Sequence, residues 1–258
     1  MKRSLAVRAV SLACVLLATS VHAKEETGYQ PILVQLKAAL DIDVQGNVSA
    51  VSFIDEAKVP DALRREAERL AQSWRFQPPR KDGKAVSGRT YATLQTCLVP
   101  SAAGIDYTFS YAGNGPSGTY RPPRKMHMPA MPIDTLMSEG VSRYGGKITY
   151  LVKPDGSVTL EKAVLDDPAL QARYGQLWSR DQREYMKGFH YRPELIDGVA
   201  TATRVEATVE QRWAEEGELD KLDAEMRADD ARTDACRKLR GAQDHQIASD
   251  SVFKRIDS

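Results

Sequence analysis

The sequence predicts an α+β fold: two small domains, each a helix packed on a three-stranded antiparallel sheet, with a C-terminal helical tail. Three observations lead there. Twice along the chain the apolar residues change from strand alternation to helical spacing and back. Each change is bracketed by the same turn residues, and the distances between the turns nearly match, as an internal repeat requires.

From Lys37, KAALDIDVQGNVSAVSFID alternates at Leu40, Ile42 and Val44, turns at Gln45-Gly46-Asn47, and resumes with Val48, Val51 and Phe53. This is a hairpin signal. Pro60-Asp61 opens a helix whose apolar face carries Leu63, Ala67, Leu70 and Trp74. The segment Trp74-Arg75-Phe76-Gln77-Pro78-Pro79 ends it, because proline lacks the amide donor and restrains its predecessor. Trp74 and Phe76 read as core plugs with Arg75 pointing outward. After a turn at Asp82-Gly83-Lys84, Thr90 to Leu98 alternates as a closing strand, with Ala92, Leu94 and Leu98 on one side.

The second half follows the same order. KITYLVKPDGSVTLEKAVL makes a hairpin about Asp155-Gly156, Asp167-Pro168 opens a helix with Leu170, Tyr174, Leu177 and Tyr185 on its apolar side, and Gly188 suits its end. Phe189-His190-Tyr191-Arg192-Pro193 then stands where Trp74 to Pro78 stood, with His190 read as a packed aromatic, and a strand with Val205, Ala207 and Val209 closes the unit. Phe76 precedes Gly83 by seven residues, and Tyr191 precedes Gly198 by seven. From turn glycine to ring the counts are 30 and 35, so the second helix is the longer. Between the copies, residues 100–125 have the Gly/Pro composition of a linker. Residues 214–258 hold twelve acidic against eight basic residues and read as an exposed, partly helical tail carrying Leu219, Leu222 and Met226.

Residues 1–23 have signal-peptide order: Lys2, Arg3 and Arg8, an apolar run of about ten residues, then a polar end with a cut expected near Ala23. The run is short of the roughly twenty residues of a spanning helix, so no membrane anchor is expected and the chain is assigned to the periplasm. Removing this segment leaves 33 basic and 35 acidic residues, moving the formal charge from +1 to −2. Nucleic acid gains no support as a partner. Cys97 and Cys236 remain as a candidate disulfide, two buried thiols being the alternative.

A hairpin with a D-x-x-G-x-V turn, a helix ending in Trp74-Arg75-Phe76-Gln77-Pro78, then Asp82-Gly83-Lys84 and a closing strand resembles the C-terminal domain of the TonB energy-transducer family. The second copy is similar, with a lead-in from Met131-Pro132 through Glu139-Gly140 to Gly145-Gly146-Lys147. It departs in having His190 for Arg75 and Tyr191 for Phe76. The resemblance covers residues 32–99 and 126–213. It implies a non-enzymatic protein that binds a protein or peptide partner in the envelope, such as an outer-membrane receptor, by adding the partner's strand to a sheet edge. The candidate edges are Thr90 to Leu98 and Thr203 to Arg212, the latter with Arg204, Glu206, Thr208 and Glu210 facing outward. A homodimer by strand exchange would use the same edges. Energy transduction is not expected, because the anchor and long spacer that it requires are missing from this reading.

Rival readings are an envelope structural or assembly factor, and a hydrolase or copper-binding protein. Met126-His127-Met128 with Met131 is a soft-ligand cluster suited to Cu(I), or a gap-filling group. Gly113-Asn114-Gly115-Pro116-Ser117-Gly118 matches the dinucleotide glycine spacing but runs into Thr119-Tyr120-Arg121-Pro122-Pro123, where no helix can follow. No histidine pair has zinc spacing, and no cofactor is expected.

Overall fold

A computed structural model describes residues 32–54, 57, 59–101, 104–120, 131–213 and 246–256. It is a mixed α+β structure dominated by antiparallel strands. The first half contains β1 (Ile32–Ile42), β2 (Val48–Phe53), α1 (Asp61–Gln72), the small hairpin β3 (Arg80–Lys81) and β4 (Lys84–Ala85), and β5 (Gly88–Ser101). β6 (Gly104–Gly115) and β7 (Ser117–Tyr120) follow. The second half contains α2 (Ile133–Ser138), β8 (Arg143–Val152), β9 (Val158–Leu165), α3 (Pro168–Met186), β10 (Phe189–Arg192), β11 (Glu194–Ile196), β12 (Val199–Thr201) and β13 (Thr203–Arg212). β14 (Gln246–Ala248) comes from the C-terminal segment.

The internal repeat is visible in the backbone. Phe76 N donates to Gly46 O at 2.8 Å in the first half, and Tyr191 N donates to Gly156 O at 2.9 Å in the second. Both glycines have positive φ, 85° and 81°. A Cβ on Gly46 would lie 2.0 Å from Phe76 O, and one on Gly156 would lie 2.3 Å from Tyr191 O. Each hairpin turn therefore needs glycine both for its backbone and for the ring residue docked on it. The later turns match too: Asp82-Gly83 and Asp197-Gly198 all have positive φ, the conformation that closes a two-residue hairpin.

α1 buries the face that the spacing predicts, whereas on α3 only Leu170 of the predicted stripe is fully buried. Leu63, Ala67 and Ala71 are buried on α1, Trp74 and Phe76 are fully enclosed, and Arg75 is exposed. Val44 falls in the turn rather than in the strand and is exposed, since Asp43 Oδ1 accepts the amides of Gln45 and Asn47 and starts the turn before it. The Asp167 carboxylate caps α3 by accepting from Ala169 N and Leu170 N, with Pro168 in the first turn. Trp178, fully enclosed, fills the core under α3, whereas Tyr185 is 38% exposed. His190 is exposed over Gly156 instead of packed.

The sheets depart from two separate three-stranded units. The first sheet has six strands, ordered β12-β11-β5-β1-β2 with β6 also on β5, so two of its strands come from the second half. The second sheet is β14-β13-β8-β9. β10 pairs with β7, again across the halves. Residues 104–120 are therefore strand, not linker. Ile105, Tyr107, Phe109 and Tyr111 alternate along β6, and the last three pack against the first core. The glycines there admit close neighbours: a Cβ on Gly118 would meet the Tyr191 ring at 2.7 Å, and one on Gly115 would meet Ala248 Cβ at 2.6 Å. The dinucleotide-like glycine run thus joins β6 to β7 and opens no helix. Within the tail, residues 214–245 lie outside the described residues. Its described end, residues 246–256, is not helical: after β14, Phe253 is buried in the first core at 1% exposure.

No helix among the described residues is long and apolar enough to cross a membrane.

Candidate partner-binding edge

Two of the sequence expectations concern strand edges. Thr90 to Leu98 is not one, because β5 is bordered along its length by β1 on one side and by β6 and β11 on the other. The β6 alternation, hidden in a Gly-rich stretch, supplies the covering strand. β13 keeps part of an edge. It pairs with β8 from Thr203 to Arg212, but β14 covers its other side only from Val205 to Ala207. From Thr208 onward no described strand runs alongside on that side.

The backbone direction follows from two bonds. Ser249 N donates to Arg204 O at 3.0 Å, and Arg204 N donates to Asp250 Oδ1 at 2.5 Å, so Arg204 directs both polar groups away from β8. Successive residues alternate, so Glu206, Thr208 and Glu210 point the same way. Their side chains are exposed, while Val205 is buried and Ala207 and Val209 pack against the second core. Arg204 is already engaged: its guanidinium donates to Glu161 at 2.6 and 3.1 Å and to Asp250 at 3.2 Å. These contacts hold β9, β13 and the C-terminal segment together, while Glu206 lies opposite Ile247. Thr208 and Glu210 are the pair placed beyond β14.

Three clefts adjoin this stretch. One of about 320 Å³ separates the second core from the back of the first sheet, with Tyr150, Tyr185, Phe189 and Val209 facing Gln35 and Lys37. A second, of about 510 Å³, borders Thr208 and Glu210 beside Arg143, Gly145 and Arg173. A third, of about 280 Å³, lies between Met131, Asp181, Gln182 and residues Val209 to Gln211. None of these includes a residue of β2 or β9, the edge strands opposite β12 and β14 in the two sheets. Burial pushes the Tyr144 phenol up to about 12, with the Asp181 carboxylate adding to the effect. Its hydroxyl donates to Gln211 Oε1. Burial also raises the Asp181 carboxyl above the usual range.

Sequence reasoning missed Asp181 and Glu194. Asp181 had a signal: the α3 stripe Leu170, Tyr174, Leu177, Tyr185 skips one position, and Asp181 occupies it. Glu194 had none. It is 1% exposed on β11 and accepts from Thr90 Oγ1 at 2.5 Å, Ser251 Oγ at 2.8 Å and Thr203 Oγ1 at 2.9 Å. Asn114 Nδ2 donates to Thr90 Oγ1, Ser251 Oγ and Phe253 O, joining β6 to the cluster. Burial raises the Glu194 carboxyl, the three hydroxyls partly offset this, and nearby Asp250 adds to the rise. Ser251 beside a carboxylate has the look of an activated hydroxyl, but neither residue lines any of the clefts. The cluster ties β5, β6, β11, β13 and the C-terminal segment together.

Cys97 is buried and disulfide-bonded, while Cys236 lies outside the described residues. Met126, His127 and Met128 also lie outside them, and Met131 is a core residue at 5% exposure. Among the described residues no group of three or more His, Cys, Asp or Glu could hold a metal ion. No protein-family model, no curated protein and no solved structure matches the chain.

Proposed function

We propose that the chain is a non-enzymatic, TonB-like protein of the cell envelope that binds an extended protein segment, such as the periplasmic end of an outer-membrane receptor, by strand addition to β13. The observation that carries this reading is the run from Thr208 to Arg212, where backbone groups face away from β8 past the end of β14, with clefts on both sides. Strand addition draws affinity from such main-chain donors and acceptors, and selectivity from pockets that take alternate side chains. The signal-like N-terminal segment and the repeated hairpin-helix-strand unit support the envelope assignment and the family likeness.

A photoreactive residue placed at Thr208, with another at Ser52 on β2 as control, tests the reading in cells. Adducts between position 208 and a periplasmic receptor segment are expected, with none from position 52. Adducts with cell-wall or assembly proteins would favour a structural role, and equal labelling from both positions would remove the case for β13.

A further inference from the structure

Asp181 Oδ1 and Gln182 Oε1 are buried acceptors with no hydrogen-bond partner, and their residues are only 6% and 8% exposed. Asp181 takes a backbone hydrogen bond from Met131, which leaves Oδ1 without a donor. An orphaned buried acceptor costs about 1–3 kcal/mol, and more when charged, so two residues bearing one on the same cavity call for a donor that enters it, which water or the cationic head of a ligand supplies. Both line the cleft of about 280 Å³ between α3, the segment leading into α2, and the end of β13. We propose that this cavity receives the lysine or arginine side chain of the partner segment, its cationic head donating to Asp181 Oδ1 and Gln182 Oε1. This rests on the strand-addition reading given above.

Size, lining and charge agree on that ligand. The cavity falls below the roughly 300–1,000 Å³ of drug-sized sites and suits one long side chain. Met131, Ile133 and Val209 offer apolar walls for an aliphatic stem, and the Tyr144 and Tyr185 rings flank it. Arg180, on the same helix, acts on Asp181 only through space and forms no ion pair with it. Position agrees as well. Side chains of an added strand opposite Val209 or Gln211 would point to the α3 side of the sheet, where the cavity opens.

The probes are Nα-acetyl-arginine amide, Nα-acetyl-lysine amide and Nα-acetyl-norleucine amide, titrated into the protein while the Asp181 and Gln182 amide resonances are followed. The two cations should shift them saturably, with norleucine at least tenfold weaker. Asp181→Asn, which keeps an acceptor for Met131, should weaken the cations at least tenfold. Gln182→Leu serves as a second variant should Asp181→Asn unfold. Equal binding of norleucine, or no loss in a folded variant, overturns the site. Because the probes have no strand to pair, Thr208→Pro should leave their binding unchanged while abolishing capture of a partner segment. Probe binding with no strand capture in the parent protein would leave the cavity standing and sink the strand-addition reading; the converse would sink the cavity alone.

Discussion

At the scale of single residues, the Glu194 cluster makes the clearest demand on chemistry. The hydroxyls of Thr90 and Ser251 accept from Asn114 Nδ2, so their own protons are directed at Glu194. Replacing Glu194 by alanine leaves three buried hydroxyls without their acceptor and is expected to cost about 3 kcal/mol in urea unfolding. The sign of the pH effect follows from the raised carboxyl. The folded state holds the Glu194 proton more tightly, so this residue's contribution to stability is fully present below the ordinary value of 4.5 and is lost as pH rises through the higher folded-state value. Glu194→Gln should flatten that fall, and an unchanged profile would show that Glu194 is not its source. Little of this was legible beforehand, since the partners Thr90 and Ser251 lie 104 and 57 positions away in sequence. Trp74, Arg75 and Phe76 were legible because local alternation alone determines which of them face the core.

At the scale of elements, hairpins and helices could be read wherever turn chemistry and periodicity were local. Asp167-Pro168 marked the start of α3 because the carboxylate caps amides two and three residues on. The misreading came in residues 104–120, where glycines suggested a linker although Gly115 and Gly118 serve close packing between strands distant in sequence. Gly118 shows the difference. Its missing Cβ leaves room for the Tyr191 ring, and Tyr191 OH donates to Tyr150 OH at 2.8 Å inside the second core. Gly118→Ala should therefore force β7 from β10 and cost roughly 1–3 kcal/mol, whereas a true linker would absorb a methyl group without effect. Denaturant midpoints of the variant and parent proteins decide between the two. The edge of β13 was half legible for a related reason. Alternation gave the outward face from Arg204 to Glu210, but the strand that covers part of it arrives from residues 246–248.

At the scale of the whole molecule, the repeat predicts two units and the strand exchange joins them. β11 and β12 extend the first sheet, β7 pairs with β10, and the C-terminal segment touches both halves. Beyond β14 that segment fastens to the first half: Gln77 N donates to Lys254 O at 2.7 Å, Ile256 N donates to Arg75 O at 2.9 Å, and the Arg255 guanidinium lies 5.1 Å from the Trp74 ring centre and 4.9 Å from that of Tyr111. Phe253 sits where a Cβ on Gly88 would meet its ring at 2.5 Å, next to the β5–β11 pairing. Units linked in this way should lose structure together. Trp74 and Trp178 report on the two cores separately, so single-tryptophan variants should give coincident urea transitions by fluorescence. Phe253→Ala should lower both midpoints by the equivalent of about 3–5 kcal/mol, although the residue belongs to the first core. If only the Trp74 transition moves, or the parent protein already shows two separate transitions, the halves are independent domains and the exchanged strands contribute little to holding them together.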